Sequence, residues 1–369
     1  MKFGNYTLEK KADKMKKVAI LGAGVMGSAV AWPLSDNGYE IHLIGTHLDG
    51  EIIQRCKQER YHPRLKRKLP ENVIPFSIEE LEKALDGVEF IVSGVNSKGV
   101  RWVGQTLAPY VKSGDRIIAI TKGLEAEDNG SLVILPEVMR QEFPPNVREQ
   151  VSLAAVGGPC IAGELAGRRQ SCVYFGSREL ETSQYLAEFF RTDYYHVSTT
   201  NDIVGLELAV ALKNAYALGV GIAAGILKMS GGVDHADAYM HNLAAAMFAR
   251  GCTEMVYFLK MQKLDPQFAY GLPGAGDLYV TSQGGRSVTI GSLIGQGKTY
   301  QEAAEIMAGE TLESVMIIQQ IGKALPKIFE KGLLKEDQFP FMNMLVDIIV
   351  HEKPIQLNLN LFFNEVIKE

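Results

Sequence analysis

A glycine motif near the start of the chain limits the fold more than any other feature of the sequence. Gly22, Gly24 and Gly27 follow an apolar run, Lys17–Leu21, that predicts a β-strand, and they precede a helical pattern over residues 28–37. Between a strand and a helix, such glycines permit a tight turn and let the backbone approach a pyrophosphate. A plain glycine-rich turn is the alternative. The motif favours a dinucleotide-binding domain that begins at the first strand.

The rest of the first half alternates short strands with helices, which is typical of an α/β fold with a parallel sheet. After a second strand at Glu40–Ile44, strands are predicted at residues 90–95, 116–121, 153–156 and 171–175. Near Asp202 the pattern changes to long helical segments. We therefore predict an N-terminal Rossmann-type doubly wound sheet and an all-α C-terminal domain. The predicted divisions are a polar N-terminal extension (residues 1–15), a dinucleotide-binding domain (16–200) and a helical substrate and catalytic domain (201–369).

Composition argues against several classes of function. The chain has 369 residues and a net charge of −5. This length predicts about two domains, and the acidic balance lacks the basic surface that nucleic-acid binding requires. The cysteines show neither a CxxC pair nor metal-ligand spacing, so we expect reduced thiols, a cytoplasmic location and no bound metal. They are Cys56, Cys160, Cys172 and Cys252.

One apolar stretch, residues 206–229, is long enough to cross a membrane but contains a glutamate, a lysine and an asparagine. A buried central helix is therefore predicted, and no membrane span. Gly219, Gly221 and Gly225 lower its helix propensity, which indicates that another backbone or a ligand packs closely against it. The lysine-rich N-terminus has no apolar segment of the kind found in secretory signals.

The lysine and asparagine in this stretch, Lys213 and Asn214, are candidates for chemistry. An unpaired charge in an apolar helix is costly. Burial lowers the pKa of a lysine towards neutrality, where the group can both hold and release a proton. The sequence thus predicts that Lys213 is a general acid and base.

The choice between NAD and NADP stays open. The second strand ends in Gly45, Thr46 and His47, without the carboxylate that usually accepts the ribose hydroxyls of NAD. Asp49 or Glu51 can reach the ribose, or Thr46 and His47 can line a 2′-phosphate site. Solvated loop residues are the alternative for all four.

Other candidates follow strands or glycines. Lys122 comes directly after a predicted strand, at the sheet edge where α/β folds bind ligands, so it is a candidate anion or carbonyl contact. A glycine-proline turn around Gly158 follows the next strand, and Cys160 in it is better interpreted as a small residue beside a binding turn than as a nucleophile.

Two further segments lie in the second half. Asp277 and Thr281 are four residues apart and share one face if helical, although Asp277 can instead cap that helix. Arg286 follows two glycines, as an anion clamp for a phosphate does. A surface arginine is the alternative.

Taken together, these segments resemble the NAD(P)-dependent glycerol-3-phosphate dehydrogenases over nearly the whole chain. The matching segments, in order, are GAGVMG (22–27), RYHP (60–63) with LPENV (69–73), TKGLE (121–125), GGPCIAGE (157–164), LKN (212–214), ARGCTEM (249–255), GDL (276–278) and GGR (284–286). Their joint order and spacing make the resemblance specific. It implies interconversion of dihydroxyacetone phosphate and sn-glycerol 3-phosphate by hydride transfer with NAD(P)H, in a cytoplasmic homodimer.

The resemblance also implies residue roles. Lys213 would protonate the ketone oxygen, Lys122 would stabilise the developing alkoxide, and Asp277 would orient Lys213. The implied substrate contacts are Asn214, Thr281, Gly158, Gly285, Arg286 and Ser287. The implied cofactor contacts are Gly22, Gly24, Val25, Met26, Gly27, Thr46, His47, Ser97, Lys122, Ala162, Arg286 and Glu313.

Three departures from the family pattern concern the substrate. Ser287 replaces the asparagine that usually follows this arginine, Asn96 and Ser97 stand where the family often has proline and serine, and Glu313 lies in LES instead of VEG. These changes leave two alternatives open, a dehydrogenase for another phosphorylated or carboxylated ketone and a non-catalytic NAD(P)-binding sensor. The role of residues 339–369 is also left open, between completing the helical domain and contacting another subunit.

Overall fold

The computed structural model describes residues 15–363, so the predicted N-terminal extension lies, apart from Met15, outside the described residues. Twelve strands form in this range. They are β1 (Lys17–Leu21), β2 (Glu40–Ile44), β3 (Tyr61–His62), β4 (Arg67–Lys68), β5 (Val73–Phe76), β6 (Val88–Ser93), β7 (Arg116–Ala119), β8 (Leu124–Ala126), β9 (Leu132–Ile134), β10 (Ser152–Gly157), β11 (Ser171–Ser177) and β12 (Tyr195–Thr200).

Eight of these strands form one sheet in the order β12-β11-β10-β7-β6-β1-β2-β5. All neighbours are parallel except β10 and β11, so the sheet is mixed rather than wholly parallel. The Rossmann-type doubly wound sheet is confirmed. Strands β1, β6, β7 and β10 end at the same edge, where α/β folds bind ligands.

Seventeen α-helices surround and follow the sheet within the described range. Those of the first half are α1 (Val25–Ala29), α2 (Ala31–Asp36), α3 (Gly50–Glu59), α4 (Leu81–Leu85), α5 (Val100–Leu107), α6 (Leu135–Arg140), α7 (Ala162–Ala166) and α8 (Leu180–Phe190). Those of the second half are α9 (Ile203–Met229), α10 (His241–Met261), α11 (Gln267–Tyr270), α12 (Asp277–Ser282), α13 (Arg286–Gly295), α14 (Tyr300–Ile306), α15 (Glu313–Glu330), α16 (Pro340–Ile349) and α17 (Leu359–Phe362). The helical character of the second half is confirmed, since residues 201–363 contain no strand.

Three local expectations need correction. The helix predicted at residues 28–37 begins earlier, at Val25, and is interrupted at Val30, because Pro33 cannot donate a backbone hydrogen bond. The strand predicted at residues 90–95 lies at Val88–Ser93, since the chain turns at Gly94. Strands β5 and β12, at the two edges of the sheet, and the short strands β3, β4, β8 and β9 outside it were not predicted.

Helix α9 is the core of the helical half. Its mean hydropathy of 1.5 over one 18-residue window would suit a membrane span, but 83% of that window is buried within the protein, as predicted for a central helix. The expectation of a closely packed backbone is confirmed for Gly221 and Gly225, whereas Gly219 packs against the ring of Phe341. A Cβ at Gly221 would lie 2.6 Å from the carbonyl oxygen of Val288, and one at Gly225 would overlap the backbone of Ser292. Helix α13 therefore packs backbone against backbone on α9.

The C-terminal segment completes the helical domain over its described part, residues 339–363. Phe339, Phe341 and Leu345 are fully buried in the core of that domain. Glu254 on α10 accepts hydrogen bonds from the first-turn amides of α16, Phe341 N at 2.8 Å and Met342 N at 2.9 Å. A carboxylate stabilises a helix N-terminus in this way.

Arg250, one turn before Glu254 on α10, holds the same segment. Its Nε donates to Glu254 Oε1 at 3.0 Å, and its terminal nitrogens donate to the carbonyl oxygens of Gln338 (2.6 Å) and Phe362 (3.1 Å). The Arg250 and Glu254 side chains are almost inaccessible to solvent. This buried pair fixes the C-terminal segment to α10.

Candidate active site

The glycine loop between β1 and α1 has the shape that a dinucleotide requires. A Cβ at Gly22 would lie 2.7 Å from the backbone of Gly94, and one at Gly27 would overlap the Gly22 carbonyl oxygen. A Cβ at Gly24 would meet nothing closer than 3.7 Å. The outer glycines therefore close the turn, and Gly24 keeps the approach to its backbone open.

The other predicted cofactor contacts nearest this loop belong to the starts of helices. Val25 and Met26 form the first turn of α1, whose amide groups have no acceptor within the helix. Ala162 is the first residue of α7 and is nearly buried. These residues fit a cofactor that lies along the ends of the strands.

The end of β2 resolves part of the question about the ribose. Asp49 is buried, and its Oδ2 accepts hydrogen bonds from the Ala23 amide (3.2 Å), the Thr46 amide (2.9 Å) and the Thr46 hydroxyl (2.8 Å). One oxygen of Asp49 is therefore engaged in joining the glycine loop to β2. His47 is exposed and lies edge-on to Trp102, with the ring centroids 5.1 Å apart.

The central feature of the site is one aspartate shared by two lysines. Asp277 Oδ1 accepts a hydrogen bond from Lys213 Nζ at 2.8 Å, and its Oδ2 accepts one from Lys122 Nζ. Lys213 Nζ also donates to the Thr281 hydroxyl at 2.6 Å. Lys122 comes from the loop after β7, Lys213 from α9, and the other two from α12. The two halves of the chain therefore meet at this cluster.

The two lysines differ in how deeply they are buried. The side chain of Lys213 is 5% exposed, and burial lowers its pKa to about 8, against the opposing effect of the Asp277 charge. The Lys122 side chain is 22% exposed. At neutral pH Lys213 therefore carries a proton that it can give up at small cost.

The turn after β10 forms one wall of this cluster. Gly158 has a φ of +132°, and its carbonyl oxygen accepts a hydrogen bond from Lys122 Nζ at 3.3 Å. Nearby, burial raises the pKa of the Cys160 thiol to about 12. Since the thiolate is the nucleophile, this supports the interpretation of Cys160 as a packing residue.

The predicted phosphate clamp lies at the start of α13. Gly285 has a φ of +96°, which favours glycine, and nothing lies within 4 Å of a Cβ built there. The Arg286 side chain is 50% exposed and 3.8 Å from Glu310, and Ser287 is nearly buried. Because α13 packs tightly on α9, the backbone at Arg286 is held close to the helix that carries Lys213.

Two predicted cofactor contacts meet each other across the domains. Ser97, after β6, donates a hydrogen bond from its hydroxyl to Glu313 Oε2 at 2.6 Å, at the start of α15. Asn96 Nδ2 lies 3.5 Å from the Thr311 hydroxyl. The segments that contain two of the three departures, around Asn96 and around Glu313, thus contact each other.

The predicted site residues form four groups in the structure: the glycine loop, the Lys122–Asp277–Lys213 cluster with Thr281 and Gly158, the start of α13, and the Ser97–Glu313 pair. Asn214 is buried next to Lys213 on α9. Sequence reasoning missed the role of Asp49 in holding the glycine loop.

Comparison with known proteins gives two family matches that together span most of the chain. Residues 17–183 match the N-terminus, and residues 202–360 the C-terminus, of the NAD-dependent glycerol-3-phosphate dehydrogenases.

Individual proteins agree with the family matches. An NADP(+)-dependent glycerol-3-phosphate dehydrogenase of Archaeoglobus fulgidus is 38% identical over 288 residues, covering 78% of this chain and 82% of the relative. A glycerol-3-phosphate dehydrogenase [NAD(P)+] of Bacillus cereus is 31% identical over 91% of this chain and 92% of its own. The crystal structure of glycerol-3-phosphate dehydrogenase from Coxiella burnetii superposes with a TM-score of 0.76 at 25% identity, covering 93% of this chain and 97% of the other.

Proposed function

The chain belongs to the NAD-dependent glycerol-3-phosphate dehydrogenase family, and we propose that Lys213 is the group that moves the proton in its reaction. The protein is an oxidoreductase that interconverts dihydroxyacetone phosphate and sn-glycerol 3-phosphate with NAD or NADP as cofactor. The observation that carries the residue assignment is the Asp277 carboxylate shared by Lys122 and Lys213.

The proton transfer follows from the state of Lys213. The reduced nicotinamide, when bound, supplies a hydride to the carbonyl carbon of the ketone. Lys213 Nζ gives its proton to the carbonyl oxygen and becomes a neutral amine, and in the reverse direction the amine takes the hydroxyl proton. Because the pKa of Lys213 is lowered to about 8 by burial, both forms are accessible near physiological pH. Asp277 and Thr281 hold the ammonium in one position.

We assign to Lys122 the stabilisation of the negative charge that develops on the carbonyl oxygen. As the carbonyl oxygen becomes an alkoxide, an ammonium fixed in a partly buried site stabilises that charge. Asp277 and the Gly158 carbonyl fix Lys122 in this structure. We assign to Asn214, the next residue on α9 and also buried, the orientation of a substrate hydroxyl.

Recognition of the small phosphorylated substrate is assigned to the start of α13. The Arg286 guanidinium is half exposed, its neighbour Glu310 is 3.8 Å away, and Gly285 leaves open space beside it. A guanidinium with such access binds phosphate through two parallel hydrogen bonds. Ser287, with a shorter side chain than asparagine, leaves this site more room than the family pattern has.

The test is an absorbance assay of NADH and NADPH oxidation with dihydroxyacetone phosphate, run beside a panel of other phosphorylated and carboxylated ketones. We expect turnover with dihydroxyacetone phosphate, and a loss of turnover in Lys213→Met. Lys228→Met is the matched control, because Lys228 lies on the same helix but contacts Ser292 instead of the cluster. Turnover of a carboxylated ketone alone would support a dehydrogenase for another ketone. Cofactor binding without turnover of any substrate in the panel would support a non-catalytic NAD(P)-binding sensor.

The finer properties are also proposals. We propose a cytoplasmic homodimer with domains at residues 16–200 and 201–369, in agreement with four cysteines without disulfides and with a change from strand to helix between Thr200 and Ile203. Light scattering on the purified protein measures the subunit number. The absorbance assay with dihydroxyacetone phosphate gives the preference for NADH or NADPH.

A further inference from the structure

His62, in β3, is a fully buried histidine that no step of the proposed reaction uses. Its Nδ1 accepts a hydrogen bond from the Leu65 amide at 3.0 Å, and its Nε2 lies 3.0 Å from the carbonyl oxygen of Ala23. Burial lowers the pKa of His62, so the ring is neutral at physiological pH. A neutral imidazole has one ring hydrogen, and the acceptor role of Nδ1 places it on Nε2. His62 therefore donates a hydrogen bond to the Ala23 carbonyl oxygen.

Ala23 lies inside the glycine loop, between Gly22 and Gly24, and its backbone is held on both sides. Asp49, which precedes α3, accepts a hydrogen bond from the Ala23 amide at 3.2 Å. His62 donates the hydrogen bond to the Ala23 carbonyl oxygen. The two contacts come from separate segments of the chain, so together they fix the orientation of this part of the loop.

The contact from His62 sets the direction of the next amide. The Ala23 carbonyl and the Gly24 amide belong to one peptide group, and a trans peptide directs them to opposite sides. Because the carbonyl oxygen faces the buried His62 ring, the Gly24 amide faces away from it. Gly24 is partly exposed, whereas Ala23 is fully buried. An amide with this orientation in a glycine loop can donate a hydrogen bond to a phosphate oxygen.

The hairpin of β3 and β4, which carries His62, is held by its own backbone. The Lys66 amide donates to the His62 carbonyl oxygen at 2.8 Å, and the Leu69 amide donates to the Arg60 carbonyl oxygen at 2.7 Å. The ring Nε2 instead reaches a residue 39 positions away in the sequence. The hairpin therefore keeps its backbone hydrogen bonds without the donor on Nε2, and that donor serves the glycine loop.

We propose that His62 is a positioning residue for the cofactor. Its Nε2 hydrogen fixes the Ala23–Gly24 peptide, so that the Gly24 amide is available to the diphosphate of the dinucleotide. His62 acts through the backbone of the loop, and proton transfer stays with Lys213. This inference rests on the proposed use of the glycine loop by NAD or NADP.

Two substitutions separate the two hydrogen bonds of the ring. His62→Gln places an amide nitrogen near the position of Nε2 and loses the acceptor for Leu65. His62→Asn places an amide oxygen near the position of Nδ1 and loses the donor to Ala23. We expect the dissociation constant of NADPH, or of NADH if wild type binds it more tightly, to rise about five- to tenfold in His62→Asn, as the loss of one hydrogen bond implies. In His62→Gln it should stay within about twofold of wild type in the same fluorescence titration.

His42→Gln is the matched control. His42 is a buried histidine of the same domain, but its ring nitrogens contact the Ala84 carbonyl oxygen (2.6 Å) and Glu40 (2.8 Å), in α4 and β2. This variant should lose stability and keep the wild-type affinity for the cofactor. In His62→Asn, kcat at saturating cofactor should fall less than the affinity does. Wild-type affinity in His62→Asn, or an equal or larger loss in His62→Gln, would show that the ring serves the hairpin and would overturn the proposal.

A second measurement needs neither a variant nor turnover. In wild type with ¹⁵N-labelled histidine, the resonances of His62 are identified by their proximity to the Leu65 amide hydrogen. They should show a hydrogen on Nε2 and none on Nδ1, and addition of NADPH should shift the Nε2 resonance of His62 but not those of His42. A hydrogen on Nδ1 instead, or a His62 ring that does not respond to a cofactor that binds, would refute the inference. A wild type that binds neither NADH nor NADPH would refute the proposed function, and this inference with it.

Discussion

Replacing Lys213 by methionine tests the proton-transfer assignment, because methionine fills similar space and cannot carry a proton. Lys213 gives its proton to the ketone oxygen in the proposed reaction, and a positioned general acid contributes roughly two to four decades of rate. The expected fall in kcat is therefore about 100-fold to 10,000-fold, or about 3 to 5 kcal/mol in the activation free energy. Cofactor affinity, measured by quenching of NADPH fluorescence, should change little, since the glycine loop and β2 are untouched.

Lys213→Met should lower kcat, but it should leave the free energy of unfolding unchanged or raise it. Burial lowers the pKa of Lys213 from 10.5 to about 8, so the folded protein binds the Lys213 proton less tightly than the unfolded chain does. The protonated form of Lys213 therefore destabilises the fold. This cost is fully present below pH 8, and it disappears as the pH rises towards the unfolded pKa of 10.5. The shift corresponds to at most about 3 kcal/mol of the free energy of unfolding. Asp277 keeps Lys122 as its partner in the variant.

Lys213→Met should consequently be as stable as wild type at pH 7, or more stable, in urea unfolding. The control Lys228→Met should keep wild-type activity. A Lys213→Met protein that retains more than about a tenth of kcat would remove Lys213 from the proton transfer. A large loss of stability would show that the ion pair with Asp277 outweighs the cost of burial.

Three further predictions concern the other parts of the site and fold. Arg286→Ala should raise the KM for dihydroxyacetone phosphate at least about tenfold while the NADPH dissociation constant stays near wild type, because a bidentate phosphate contact is lost; an unchanged KM would mean that the phosphate binds elsewhere. Gly27→Ala should abolish cofactor binding or folding, whereas Gly24→Ala should fold normally, as thermal unfolding and fluorescence titration will show, since only the first added methyl overlaps the backbone. Glu254→Gln should lower the free energy of unfolding by about 1 to 3 kcal/mol, because a neutral amide weakens the buried charge-assisted contacts of Glu254 to Arg250 and to the first-turn amides of α16; an unchanged free energy of unfolding would show that these contacts do not stabilise the C-terminal segment.

The fold could be predicted where local pattern and tertiary environment agree. Strands β1 and β2 have the predicted bounds, because each is buried on both faces after its first residue and ends at a glycine turn. Strand β5 contains Pro75, which argues against a central strand, and it is tolerated because β5 lies at the edge of the sheet. Strand β12 lies at the opposite edge and alternates buried and exposed residues over its first four positions. Its second half is polar, so the alternation of apolar and polar residues that indicates a strand is too short to recognise in the sequence.

The sequence was enough to identify candidate site residues, but not to predict which of them contact each other. A lysine in an apolar helix and another after a strand were both visible in the sequence. Lys122 is 155 residues from Asp277 in the sequence, and Lys213 is 64 residues from it. Only folding brings these segments together, so the shared carboxylate could not be predicted from spacing. Asp49 was considered for the ribose, but a hydrogen bond to Ala23, 26 residues away, was not deducible from spacing.

The dependence of kcat/KM on pH in both directions tests the central claim most directly, since kcat/KM reports the ionisation of groups in the free enzyme. If Lys213 donates the proton in reduction and accepts it in oxidation, reduction of dihydroxyacetone phosphate should fall, and oxidation of sn-glycerol 3-phosphate should rise, through a common inflection near pH 8. Parallel profiles in the two directions, or opposite profiles that persist in Lys213→Met, would contradict it.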